Sequence, residues 1–152
     1  MHFGKKNPNF TYVMNGIELE CIKAERDLGV LFTDDVKVAA QCMQAYKKAN
    51  SVLGMINSVI SFKSKAVLLN LYKSLVSPHL EYYTLAWSPY YEKDKSPLKK
   101  MQHRFTRMIS RLNALSYEDR LDILGLWSLE ERMNRADLLK MFQMFIGVSS
   151  VR

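Results

Sequence analysis

The spacing of apolar residues changes near Val36, and that change limits the possible folds more than any other feature of the chain. Before it the apolar runs are short, "FTYVM", "IELECIKA" and "LGVLF", and suit strands better than helices. The first two flank Asn15-Gly16, a pair that tolerates the positive φ of a type I′ turn and so marks a β-hairpin. After Val36, the residues Ala39, Met43, Tyr46, Asn50, Leu53 and Ile56 recur at steps of three and four, the period of an amphipathic helix. The expected fold class is therefore mainly α: a short N-terminal β-hairpin and strands over residues 1–35, followed by a helical bundle of about five helices over residues 36–152.

Further helix signals follow in order. Thr33 or Asp34 is placed to cap the first helix, with Asp35 in its first turn, where the helix dipole favours an anion. The run "KSKAVLLNLYKSLVSPHLEYYTLAW" offers Ser61 or Ser64 as N-cap, and Pro78 should kink or split it because proline lacks an amide donor. Ser96-Pro97 reads as a cap followed by the first helical position, where proline fits, and opens a helix running to about Asn113. A short helix follows Ser116. The last begins at "SLEE", where Ser128 and Glu131 have the spacing of a capping box, and continues through "LLKMFQMFIG". The turn-rich stretches 88–97 and 125–127 read as inter-helix loops, and no repeat or linker divides the chain.

Composition narrows the function classes. The 152 residues suit one folded unit, and 48% hydrophobic with 24% charged residues is a globular balance. A net charge of +7 and a pI of about 9.4 favour polyanionic partners. Cys21 and Cys42 form no C-x-x-C pair, so neither a disulfide framework nor a zinc knuckle is indicated and both read as buried, reduced thiols. His2, His79 and His103 are too scattered for a metal motif. No apolar run has the length of a signal peptide core or a membrane span, so the expectation is an intracellular chain, nuclear or cytoplasmic, neither secreted nor membrane-bound.

The positive charge is concentrated. Between Lys93 and Arg111 stand seven basic residues, Lys93, Lys95, Lys99, Lys100, Arg104, Arg107 and Arg111, against the single acid Asp94. Helical spacing puts Leu98, Met101, Phe105, Met108, Ile109 and Leu112 on one face and Lys100, Arg104, Arg107 and Arg111 on roughly the opposite one. Like charges at that spacing repel, and an anionic ligand relieves the repulsion; phosphates spaced along a nucleic acid fit the role. With Lys99, these are the candidate nucleic-acid-binding residues. A solvated basic face is the plainer alternative. Tyr82, Tyr83, Trp87, Tyr90 and Tyr91 could stack on bases, but packing in the core and loops is the better expectation.

The order of segments carries a resemblance. "ERDLGVLF", "KKANSVLGMI", "LYKSLVSPHLEYYTLAWSP", "LKKMQHRFTRMI" and "LSYEDRLDILGLWSLEERMNRADLLKMF" together resemble the region after the catalytic palm in LINE-type, non-LTR retrotransposon reverse transcriptases, notably the jockey-like and chicken-repeat lineages. The markers are Leu28-Gly29-Val30, the run Ser77-Pro78-His79-Leu80-Glu81-Tyr82, Trp87 with Pro89, Gln102 followed by basic residues, and Leu126 with Ser128-Leu129-Glu130. Tyr83, Ser77 and His103 depart from the family's usual cysteine, arginine and second basic residue.

The resemblance implies that "MHFGKKN" is a strand leaving the palm, that Leu28 and Gly29 form a primer-grip-like turn, and that the helices form a thumb holding an RNA/DNA template–primer duplex by its backbone. Phe32-Thr33-Asp34-Asp35 has the look of that family's metal-binding box. Two-metal chemistry, however, needs carboxylates converging from separate strands, and here a helix follows Asp35. The tetrapeptide is thus a strand-to-helix junction, and no catalytic or metal residue is assigned. The chain is expected to be a C-terminal palm-edge and thumb piece of an enzyme that, at full length, would use magnesium. It would be inactive alone, and its companions would be the absent palm and fingers or a second copy met through exposed strands. Its origin as a truncated element copy, a partial reading or a host-adopted protein stays open, as does a role as a small nucleic-acid-binding or protein-interaction module.

Overall fold

The computed structural model describes residues 1–4, 6–110 and 112–148. Two small antiparallel hairpins precede the helices. In the first, β1 (Val13–Met14) pairs with β2 (Ile17–Glu18), with Met14 opposite Ile17. Asn15 and Gly16 lie at φ 52° and 78°, the signature of the expected I′ turn. In the second, β3 (Ala24–Asp27) pairs with β4 (Val30–Thr33) in register Asp27 to Val30. Its turn residues Leu28 and Gly29 are again both at positive φ, 45° and 83°. Only this second hairpin reaches the core: Val30 is buried, and the Leu31 amide donates to Gln41 Oε1 at 2.9 Å. The described part of residues 1–7 forms no strand, contrary to the expectation for "MHFGKKN". It is attached instead through the Gly4 amide, which donates to the Asp34 carbonyl at 2.9 Å.

Helix α1 spans Ala39–Val59. Neither Thr33 nor Asp34 caps it, and no acid lies in its first turn. The ladder continues instead past β4, with the Asp34 amide donating to the Lys23 carbonyl at 2.9 Å. Val36 then adopts φ 56°, a left-handed conformation that cannot begin a right-handed helix. The buried stripe of α1 includes Cys42, Ala45, Ala49, Leu53 and Ile56: Leu53 and Ile56 are buried as expected and Tyr46 packs against the core, while in the first half Cys42, Ala45 and Ala49 take the buried places, so that Met43 is exposed and Asn50 sits at the edge. The small residues in that stripe allow a close approach of α4.

The next helical run is continuous from residue 65 to 81, in three registers. Ser64 caps α2 (Lys65–Leu71), accepting from the Val67 amide at 3.3 Å. A single π turn occupies Tyr72–Val76, and α3 (Ser77–Glu81) completes the run. The Ser77 amide reaches back five residues to the Tyr72 carbonyl. This widened turn just ahead of Pro78 lets the proline pass without breaking the helix. A 3₁₀ turn at Thr84–Ala86 then leads to Trp87, which is buried and donates from Nε1 to the Tyr82 carbonyl at 2.8 Å. Tyr82, Tyr83, Tyr90 and Tyr91 are all exposed, so the expected aromatic packing holds for Trp87 and not for the tyrosines.

Helix α4 runs Glu92–Met108, starting a full turn before Ser96 and ending short of Asn113. Pro97 therefore lies inside it. Glu92 and Asp94 in the first turn interact favourably with the helix dipole, which offsets part of the lost hydrogen bond. Ser116 caps α5 (Tyr117–Leu124), and α6 (Leu129–Phe145) opens with the expected capping box at Ser128 and Glu131. The core is built where α1, the π turn and α3 meet α4, with Leu68, Val76, Leu80, Leu98, Met101 and Phe105 buried. The second half of α6 lies outside it: Leu138, Met141, Phe142 and Phe145 are exposed. Cys42 is buried, and burial pushes its thiol up to about 12. Cys21, expected to be buried, is exposed in the segment between the hairpins.

One core side chain is poorly satisfied. Tyr72 is completely buried, stacked on Phe105 with ring centroids 4.0 Å apart, and its hydroxyl has no hydrogen-bond partner. A desolvated, unpaired hydroxyl is destabilising. Tyr72→Phe is therefore expected to raise the unfolding free energy by about 1 kcal/mol, seen as a higher urea midpoint at unchanged slope. A lower midpoint would show that the hydroxyl is paired.

Candidate nucleic-acid interface

The residues that place α4 are distinct from those it presents. Leu98, Met101, Phe105 and Ile109 face the core as expected, and two polar residues, Gln102 and Thr106, are fully buried beside them. Gln102 Nε2 donates to the Trp127 carbonyl at 2.9 Å, while its Oε1 accepts from the Tyr117 hydroxyl at 2.8 Å and the Leu129 amide at 3.0 Å. One side chain thus ties α4 to α5, to the α5–α6 loop and to the start of α6. His103, one residue on, stacks against Tyr117 at 3.6 Å, and burial followed by Arg120 and Arg107 lowers its pKa.

On the outer face, Lys100, Arg104 and Arg107 are exposed, and none of the ion pairs among the described residues involves them. Arg104 donates through Nη1 to Asn50 Oδ1 on α1. Asp94 acts electrostatically on Cys42 at the other end of this contact, so α1 and α4 run in the same direction. Arg111 lies outside the described residues.

Lys99 occupies the opposite flank. Its ammonium pairs with Glu92 at 2.9 Å and Glu130 at 3.0 Å, and Lys95 pairs with Glu130 at 2.8 Å. Those contacts raise the Lys99 pKa and lower that of Glu130. Its charge is matched within the protein, and it works as a tie between α4 and α6.

Leu28 and Gly29 lie well away from this row in sequence, at the β3–β4 turn. Tyr82, at the end of α3, donates to the Leu28 carbonyl at 3.0 Å. A Cβ on Gly29 would stand 3.4 Å from the Tyr82 ring, and at φ 83° any other residue would be strained. Beside this braced turn is a groove of about 150 Å³ whose lining includes Gln44, Lys48 and His79.

The chain matches no family model, no curated protein and no solved structure. Asp35 Oδ1 accepts from Thr33 Oγ1 at 2.7 Å, and Oδ2 pairs with Lys37 Nζ at 2.6 Å. Lys37, then Thr33, lower its pKa to about 2. Among the described residues no three acidic, histidine or cysteine side chains that could hold a metal ion converge. Among them, also, no helix is long and apolar enough to cross a membrane.

Proposed function

We propose that this chain is the palm-edge and thumb-like portion of a non-LTR retrotransposon reverse transcriptase, holding a template–primer duplex by its phosphates without itself carrying the polymerising centre. The observation that carries the reading is the row Lys100, Arg104 and Arg107, exposed on one rigid helix and free of carboxylate partners. Cations fixed at one-turn intervals match phosphates and carry no base-reading chemistry. The family assignment rests on the ordered sequence markers. The bracing of Leu28-Gly29 by Tyr82 gives two of them a shared structural role. In this reading the protein works inside the cell on nucleic acid, beside the palm and fingers of the same enzyme.

Duplex binding measured against salt tests the proposal. With Lys100, Arg104 and Arg107 each on a phosphate, log affinity should fall with log salt at a slope of about −2.7, equally for unrelated sequences. A primer-extension assay on the same duplex should yield no product. A slope near zero would remove the basis for the proposal.

A second reading, a protein-interaction module, is favoured by one observation: Phe10, Val13, Met14 and Ile17 around the first hairpin are exposed, and both of its strands have open edges. It predicts self-association in sedimentation at micromolar concentration. A clean monomer counts against it.

A further inference from the structure

A second cationic surface lies where α6 faces the π turn. It is a groove of about 450 Å³ whose walls include Lys73 from the π turn, Trp127 from the α5–α6 loop, and Arg132 and Arg135 from α6. Its single carboxylate, Glu81, is already engaged: Arg132 Nη2 binds it at 2.6 Å, while Arg132 Nη1 donates to Ser77 Oγ at 3.2 Å. Lys73 and Arg135, both exposed, leave the groove with unbalanced positive charge.

Trp127 supplies the other half of the chemistry. Its backbone is fixed, because its carbonyl accepts from the buried Gln102, yet the residue is 53% exposed. The Arg135 guanidinium stands 4.9 Å from the ring centroid, a cation–π contact that orients the indole. A neighbouring groove shares Trp127 but is bordered by Asp122 and Glu131, which repel anions. Phosphate is therefore directed to the Lys73 and Arg135 side of the indole. An exposed aromatic ring with one guanidinium over it and a second cation lining the same groove, bordered by acids in the neighbouring groove, has the elements that take up an unpaired nucleotide: a surface for the base and charges for the phosphates.

We propose that this groove binds one nucleotide of a single-stranded nucleic acid, its base stacked on Trp127 and its phosphates held by Lys73 and Arg135. The site uses none of the residues in the duplex-binding row and stands whether or not that row binds duplex.

The test uses the full chain and a short oligothymidylate. Trp87 is buried, at 2% exposure, so quenching of tryptophan fluorescence reports on Trp127. Saturable quenching is expected. Trp127→Ala should weaken binding about 5- to 150-fold by anisotropy of a labelled oligomer, the range of one lost base stack, and Trp127→Phe should stay close to the wild type. An abasic oligomer of equal length, carrying the same phosphates, should bind the wild type about as weakly as oligothymidylate binds Trp127→Ala. The abasic comparison needs no variant and so is unaffected by any folding defect. Equal affinity of the abasic and thymidylate oligomers for the wild type, or no quenching at saturation, would overturn the proposal. Duplex binding by Lys100→Ala and Arg104→Ala variants is read separately, so failure of one site is distinguishable from failure of the other.

Discussion

Gln102→Ala is expected to destabilise the protein by about 4 kcal/mol, the sum of stranded polar groups and a new cavity. The side chain is fully buried. Its removal leaves the Trp127 carbonyl, the Tyr117 hydroxyl and the Leu129 amide without their present partner, and each unsatisfied group costs about 1–3 kcal/mol. Gln102→Met, which keeps the volume, should recover only the cavity part of the loss and still be about 3 kcal/mol less stable than the wild type. Gln102→Glu discriminates further. A buried carboxylate cannot donate to the Trp127 carbonyl, but its protonated form can. Burial raises such a carboxyl's pKa in the folded state above its unfolded value, so the variant should be closest to wild type at low pH and lose stability as pH rises through the unfolded value. Chemical denaturation across pH measures both. A cost below about 1 kcal/mol for Gln102→Ala would mean that the three contacts are made good elsewhere.

Gln102 also shows where sequence stops being informative. Its position beside basic residues was legible as a marker, but its task was not, because the groups it joins lie 15, 25 and 27 residues away. Features set by neighbouring residues were read well. Asn15-Gly16 gave its hairpin because only two φ values are at stake. Ser64, one of the two serines offered, and Ser128 cap their helices because a cap needs an amide only two or three residues on. Features decided by packing were missed. In the first half of α1 Cys42, Ala45 and Ala49 are buried in place of Met43 and Asn50, because alanine is a weak signal in a hydrophobicity pattern, while Leu53 and Ile56 are buried as expected. Ser96-Pro97 looked like a helix start, but Lys95 and Lys99 clamp that turn to Glu130 on α6, favouring a helix that begins at Glu92. The same ion pairs withdrew Lys99 from the basic row. At Phe32-Thr33-Asp34-Asp35 the junction reading held in outline while its cap failed, since the left-handed Val36 lay outside any pattern based on side-chain type.

Changing Lys100, Arg104 and Arg107 together to alanine is expected to weaken duplex binding about 500-fold at 0.1 M salt. Each phosphate contact contributes about 0.9 to the slope of log affinity against log salt, and this contribution vanishes near 1 M, so three contacts amount to about 2.7 decades at one-tenth of that concentration. The salt slope should flatten by the same 2.7 or so, and the loss should be uniform across sequences, because phosphates are being released and no base edge is involved. The variant should fold. All three side chains are exposed, and removing like charges one turn apart relieves a few tenths of a kcal/mol per pair. That roughly offsets the loss of the exposed Arg104–Asn50 hydrogen bond. Lys99→Ala is the internal control, since it removes the same charge from the same helix. Its ammonium sits between Glu92 and Glu130, so its loss should loosen the α4–α6 contact while leaving duplex affinity within about twofold. If Lys99→Ala weakened binding as much as Lys100→Ala, net charge alone would account for the affinity and the row would have no special standing.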